Sequence, residues 1–420
     1  MIRTRCVAIA LLIALVGGAA LFANGAKEEK ATLQVVLNQT WNKPGFQPAL
    51  KAYEAAHPGI TIDLQVIPDE QFTQLIKSRF ATGEYPDVYL DNFGQIAQIY
   101  KIPDTLVDLS KEPWVKRLVS TSGVTDGGKV YGLPMVGVPS IEGVVYNKKI
   151  FQQLGVTVPR TWDEFLAVCD KIRKAGIDPV AITAKDNWTI GMWVVEIVPL
   201  AVQDKANIWN DLNTGKVKFD AVPAFTDVFM KMKQVVDKGY ANKDMFSATY
   251  DMGNDMVATG KAAMVVQGDW AANDILKKYS DAQIGMFPIP IVANARYTSG
   301  FTAAFTIPLK SKHVEAAREL LRYFATPEQV KIVATDWGYV PATTDVTVPL
   351  APWTQDAIEN FVKKGKPPIP EMGVASLVSM GQLSTYAANM LDGSMKVEEL
   401  MPAWAKYFAE QAALRKLPGW

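Results

Sequence analysis

Residues 130–165 read VYGLPMVGVPSIEGVVYNKKIFQQLGVTVPRTWDEF, and the order of signals in this stretch decides the fold class. Tyr131–Val138 predicts a short apolar strand, broken by Pro139-Ser140, and Ile141–Tyr146 resumes as a second strand. Asn147-Lys148-Lys149 then leads into a helix. Pro159 and a Thr161–Glu164 capping box start the next one, with Thr161 accepting from an early helical N–H and Glu164 reaching back to the Thr161 N–H. The unit is strand–kink–strand–helix–helix, and the Gly137–Gly143 kink is available as a hinge or a crossing.

Outward from this stretch, strands and helices alternate. Thr32–Leu37 is an apolar strand, and Phe46–His57 is a helix stopped by Pro58-Gly59. Ile60–Ile67 alternates apolar and polar residues with period two, as a half-buried strand should. Gln71–Thr82 is amphipathic and ends at Gly83, and Pro86–Leu90 is a further strand. The β-α-β-α-β order implies a largely parallel sheet covered by helices. Towards the C-terminus, Val180–Thr183, Lys261–Gln267, Ile284–Phe287 and Phe301–Ile307 read as strands. Val314–Ala325 is an amphipathic helix, and Thr326-Pro327-Glu328-Gln329 starts the next with a second capping box. From about Pro352 the chain reads as helical apart from the Pro367–Pro370 cluster. No flexible linker separates the halves, so two domains would be joined by several strand crossings, a connection suited to hinge closure.

The 420 residues suffice for two cores, and 43 basic against 43 acidic residues create no field to recruit nucleic acid or an anionic membrane. Arg3, Arg5 and the apolar run from Cys6 to about Phe22 read as a secretory signal with small residues at Ala23 and Ala26 for cleavage; an uncleaved anchor is the other reading. Cleavage after Ala23 removes Arg3 and Arg5, leaving 41 basic residues against 43 acidic, a mature charge of about −2. A periplasmic or cell-surface location follows. The mature chain keeps only Cys169, which shares a helical face with Trp162, Phe165, Leu166 and Ile172 and so belongs to a core. No internal disulfide can form.

Support for catalysis is thin. The two histidines, His57 and His313, fall at helix ends. HExxH, CxxC, GxSxG, P-loop and GxGxxG signatures are all missing, so no cofactor or metal is expected. A secreted glycosidase needs only two carboxylates and stays open as a rival. Binding has more behind it. In open α/β sheets ligands sit outside the carboxyl ends of strands, and polar-aromatic clusters fall at those ends. They are Asn38-Gln-Thr-Trp41-Asn42, Asp91-Asn92, Asp186-Asn187-Trp188 with Trp193, Gly268-Asp269-Trp270, and Tyr297-Thr-Ser299-Gly300. A sugar needs this mixture: its hydroxyls take directed acceptors, best of all carboxylates, and its C–H faces lie on flat rings. Trp337-Gly338-Tyr339 closes a helix before Pro341 and reads as structural.

In chain order, Gly83-x-x-Pro86-Asp87-Val88, Tyr131-Gly132-Leu133-Pro134, Tyr146-Asn147-Lys148, Thr161-Trp162-Asp163-Glu164-Phe165, Gly260-Lys261-Ala-Ala263-Met264, Gly268-Asp269-Trp270, Pro288-x-Pro290 and Thr326-Pro327-Glu328 resemble the markers of one family. It is the maltose-binding-like group of extracellular solute-binding proteins that serve ABC transporters, and the similarity covers nearly the whole mature chain. The resemblance implies an α/β periplasmic-binding-protein fold of the second type, with three interlobe crossings and a ligand held in the cleft. The expected division is a signal peptide at 1–23, a first lobe of 31–138 plus 295–345, and a second of 139–294 plus 346–420.

Carried over residue by residue, Trp41 and Asn42 resemble the first ligand loop and Asp91 a sugar-hydroxyl acceptor, while Asn92 stands where the maltose binder has arginine. Ser140 lies at the first crossing. Asp186 and Trp188 resemble an acid-plus-ring pair, and Trp270 a stacking ring. Small residues in Gly373–Leu377 replace a stacking tryptophan, so maltose itself is not implied. The implied function is a non-catalytic monomeric receptor that takes a mono- or oligosaccharide and delivers it to a membrane permease. A polyamine or glycerol-phosphate type of solute is the alternative within binding proteins. Lys43, Lys185 and Arg296 are the obvious cations for the phosphate.

Overall fold

The computed structural model describes residues 31–137, 140–300, 302–372 and 376–420. The leader, Val138-Pro139 of the kink and Gly373–Ala375 lie outside the described residues. In chain order the strands used below are Ala31–Asn38 (β1), Ile60–Ile67 (β2), Val88–Asn92 (β3), Leu133–Pro134 (β4), Ile141–Asn147 (β5) and Asp178–Ala181 (β6). They continue with Ala262–Gly268 (β7), Ile284–Phe287 (β8), Thr298–Ser299 (β9), Ala303–Thr306 (β10) and Ile369–Pro370 (β11).

Two sheets organise the molecule. The first has the order β2-β1-β3-β10-β4, with β1 parallel to both β2 and β3, and β10 antiparallel to β3. The second runs β11-β9-β5-β7-β6, with β8 pairing β5 beyond β9. One core, around Leu33, Val35, Tyr89, Phe305 and Trp337, belongs to the first sheet. Two more cover the faces of the second sheet, one around Phe165, Trp193, Phe229 and Trp404, the other around Val145, Val265, Ile275 and Trp353. This is the two-lobed α/β architecture with an edge between the sheets at which strands end.

The helix signals act as their chemistry requires, with two exceptions. Asn147 caps the Lys148–Leu154 helix, its Oδ1 accepting from the Lys149 N–H at 2.9 Å. Thr161 Oγ1 accepts from the Glu164 N–H at 3.2 Å, but Glu164 takes the Arg160 N–H at 2.7 Å rather than that of Thr161, so the box closes one residue early. The Thr326 box does not form. Its hydroxyl donates instead to the carbonyl of Tyr323 at 2.8 Å, satisfying the end of the preceding helix. Cys169 is buried in the core.

Three further departures concern strands. The apolar run Tyr131–Val138 yields only the two-residue β4, because Gly137 donates to the Val340 carbonyl at 2.8 Å and the chain leaves the sheet. The Pro367–Pro370 cluster hides β11, an edge strand parallel to β9 in which a proline is tolerated. Thr298 and Ser299 pair with Glu142 and Ile141 of β5. Residues 295–299, placed with the first lobe from sequence, therefore run with the second sheet, and the chain returns to the first between Ser299 and Ala303. The last passage lies after Thr343, which bridges Leu118 in the first lobe, and before the Pro352–Asn360 helix on the second.

Candidate functional site

Side chains at several strand ends converge on one helix, Asp269–Lys278, which opens directly from β7. Glycine is required at its start: a Cβ on Gly268 would meet the Trp270 ring at 2.0 Å, so the indole can fold back over the strand end only there. Trp270 is half-buried and packs against the first-lobe core and both second-lobe cores. It is a ring shared by the lobes.

Asp269 is 2% exposed. Burial pushes its carboxyl up to about 8, against hydrogen bonds from the Ile141 backbone and the Tyr339 hydroxyl that pull it down, while the charge of Glu142 adds to the rise. Its Oδ1 has no partner among the described residues, a buried acceptor left open. Tyr339 belongs to the first-lobe core, so the influence of its hydroxyl on the Asp269 carboxyl reaches across the lobes.

Two more contacts of this helix gather the remaining rings. Asn273 Nδ2 donates to the Trp337 carbonyl at 3.0 Å, and Trp337 stacks on Trp41 with centroids 5.2 Å apart and planes 18° off parallel. Asp274 Oδ2 accepts from the Tyr250 hydroxyl at 2.9 Å, and the Tyr250 ring meets Trp188 at 5.0 Å. The Tyr250 N–H donates to Asp186 Oδ2 at 2.7 Å. Trp188 is 40% exposed, and the buried Trp41 indole N–H has no partner among the described residues. Asn38 and Asn42 shape the turn that carries Trp41: Asn38 Oδ1 accepts from the Trp41 N–H at 3.2 Å, and Asn42 Oδ1 accepts from the Gln47 amide at 3.2 Å.

At the passages between lobes, the Gly300 N–H donates to the Ser140 carbonyl at 3.0 Å. A Cβ on Gly300 would fall 2.6 Å from Glu142 Oε1 and 2.8 Å from Ser140 Oγ. Thr298 Oγ1 donates to Glu142 Oε2 at 3.0 Å. Burial raises the Glu142 carboxyl, opposed by hydrogen bonds with Glu371 and Thr298. Glu371 reaches this spot because its N–H donates to the Ser299 carbonyl at 3.0 Å beyond β11. Glu196 lies nearby, 1% exposed, and burial with the Glu142 charge raises it well above the usual range.

Of the residues predicted from sequence, Asn38, Trp41, Asn42, Asp186, Trp188, Asp269 and Trp270 join this network, and Ser140, Ser299 and Gly300 border it at the passages. Asp91 and Asn92 end β3; Asp91 is 2% exposed and Oδ2 accepts from the Tyr89 hydroxyl at 3.0 Å, while Asn92 is half-buried. Trp193 is corrected. It is 2% exposed within the Asn187–Ala201 helix and fills a second-lobe core, because that helix is apolar all round rather than on one stripe. Sequence reasoning missed Tyr250, Asn273, Asp274, Glu142 and Glu371, and took Trp337 and Tyr339 as structural only. Of these only Glu142 has a signal, a lone carboxylate inside an apolar strand.

A cavity of about 650 Å³ elsewhere on the second lobe, bordered by Tyr146, Lys148, Arg160, Phe287 and Trp353, takes only Tyr297 from the clusters predicted by sequence. Among the described residues no three His, Cys, Asp or Glu side chains are placed to hold a metal, and no helix is long and apolar enough to cross a membrane.

Two lobes, strand-end rings and buried carboxyls between them define a ligand-capturing protein of the extracellular binding type. The chain belongs to the bacterial extracellular solute-binding protein family, whose model matches residues 39–331. A multiple sugar-binding protein of Streptococcus mutans is 24% identical over 315 residues, covering 72% of this chain and 73% of that one. A melibiose/raffinose/stachyose-binding protein of Bacillus subtilis is 22% identical over 80% of each chain. Among solved structures, a chitin oligosaccharide binding protein superposes with a TM-score of 0.79 at 24% identity, over 91% of this chain and 99% of that one. A sugar transporter protein of Bacillus licheniformis in complex with stachyose gives 0.78 at 19% identity, over 91% of this chain and all of the other.

Proposed function

We propose that the protein is the substrate-binding receptor of an ABC importer and captures an oligosaccharide between its lobes without transforming it. One observation carries this reading. A single helix, Asp269–Lys278, draws together rings from both lobes, Trp41 by way of Trp337, Trp188 by way of Tyr250, and its own Trp270. Flat rings with carboxyls between them suit a chain of pyranoses, which offers C–H faces and hydroxyls in alternation. The names of the relatives, which bind raffinose, stachyose and related sugars, support the same class of ligand.

Capture would work by population shift. The sugar touches both lobes only when they are close, so it stabilises the closed arrangement by its extra affinity for it. The closed form then serves as the signal to the membrane permease, and the receptor works as a monomer outside the inner membrane. Asp91 and Asn92 complete the site from the first lobe in this reading, with Ser140, Ser299 and Gly300 at its floor.

A thermal-shift screen over mono-, di- and oligosaccharides tests the proposal, with product analysis of the same mixtures. A raised melting temperature with the sugar recovered intact supports a receptor, since a ligand at 100 times its Kd adds about 2.7 kcal/mol. Stabilisation by polyamines or glycerol phosphates alone would replace sugar with those solutes. Cleavage of the glycan would make the protein a hydrolase.

A further inference from the structure

The end of the Pro327–Trp337 helix is finished by the other lobe. A helix leaves its last carbonyls without internal partners. Here the Ala334 carbonyl takes the N–H groups of Gly338 and Tyr339 at 2.9 and 3.1 Å. The next free carbonyls are taken from across the interlobe boundary: Lys277 Nζ donates to Asp336 and Asn273 Nδ2 donates to Trp337. Both donors sit on one face of the Asp269–Lys278 helix, at i and i+4. The backbone is built to let them in. Gly338 has φ +74°, and a Cβ there would lie 2.8 Å from Asn273 Nδ2. The same helix end faces the first-lobe ligand loop, with Trp337 stacked on Trp41 and Asp336 so close that a Cβ on Gly45 would fall 2.2 Å from its Oδ2.

We propose that this junction is a cross-lobe latch: Asn273 and Lys277 cap the first-lobe helix only when the lobes are together, and in doing so hold Trp337 against Trp41. Asn273 is then a positioning residue, acting on the ligand through the ring pair rather than by touching it. The latch couples lobe position to the orientation of the Trp41 platform, so opening the lobes loosens the ring on which a ligand would lie. Two bonds contribute, those of Asn273 and Lys277. Because the bonds are few and net hydrogen-bond energies small, the latch biases the equilibrium without locking it.

Two-colour distance measurements on the mature chain test this, with dyes on Glu84→Cys in the first lobe and Lys238→Cys in the second. Both positions are exposed, whereas Cys169 is buried and silent to labelling. Asn273→Ala removes one capping bond and should shift the closed-to-open ratio of the ligand-free protein about 3- to 10-fold towards open. Asn273→Asp keeps the shape but points a negative charge at the carbonyl end of a helix, and should shift it further. Lys277→Met, at an exposed site that leaves the fold intact, should shift it in the same direction by a smaller factor. Distances equal to the parent's in all three variants overturn the latch, whatever happens to their melting temperatures. The accompanying loss of sugar affinity rests on the oligosaccharide reading above. The distances do not, so a parent protein that binds no sugar refutes that reading alone.

Discussion

Asp269→Asn separates a titrating carboxyl from its shape. The amide keeps an oxygen acceptor for Tyr339 and Ile141 but cannot ionise. In the folded protein the carboxyl stands at about 8, against an ordinary 3.8. The folded value is the higher one, so between the two the folded state keeps a proton that the unfolded chain has released. Stability therefore falls as pH rises from about 4 to about 8 and levels off above that. One pH unit inside this window is worth about 1.36 kcal/mol, so pH 5 to pH 8 spans about 4 kcal/mol as a ceiling. Relaxation and water entry lower such burial terms, and about 1–3 kcal/mol is the expected loss. Urea midpoints at pH 5, 6, 7 and 8 should show the parent weakening more steeply than the variant by that amount. A constant offset from the amide itself leaves the slope untouched. Glu142 and Glu196, raised in the same direction by burial, leave a residual slope in both proteins. Parallel pH profiles for parent and variant would refute a buried, neutral Asp269.

Glu196 has both carboxylate oxygens buried without a partner among the described residues, so Glu196→Met should stabilise the protein by about 1–3 kcal/mol in urea unfolding at pH 8; a destabilised variant would mean the carboxyl is held. Gly300→Ala forces a methyl to 2.6 Å from Glu142 Oε1 and should cost about 1–3 kcal/mol in the same assay, with a cost near zero showing that the passage can give way. Trp188→Ala, at a ring 40% exposed, should leave stability within about 1 kcal/mol yet weaken calorimetric binding of an oligosaccharide about 5- to 10-fold. Unchanged affinity would remove Trp188 from the site.

How much of this was legible in the sequence depended on how far each signal had to reach. Ile60–Ile67 is read to the residue because alternation of apolar and polar residues marks a strand locally. The placing of Asp269 and Trp270 at a strand end is likewise read, since a glycine closes the apolar strand just before their helix opens. Trp193 fails by the same rule used to include it. Nearness to a strand end says nothing about which way a ring points when its helix is apolar on every side, and the Asn187–Ala201 helix is buried from Thr189 to Leu200.

What organises the site has no local signature at all. Asn273 and Trp337 are 64 residues apart, Asp274 and Tyr250 24, and Glu142 and Thr298 156, and none of these pairs repeats a spacing that a helix or strand would impose. Each is a polar group whose partner comes from another element, so only the folded chain reveals that it is satisfied. That also explains why Trp337 and Tyr339 read as structural. Their sequence context describes the end of a helix and is right about it. The second lobe completes that end, and a residue placed there to close a helix comes to stack on the Trp41 ring as well. A binding protein that must sense lobe position has reason to build its ring platform on such a terminus, because the carbonyls left bare when the lobes part are the groups that draw them back together.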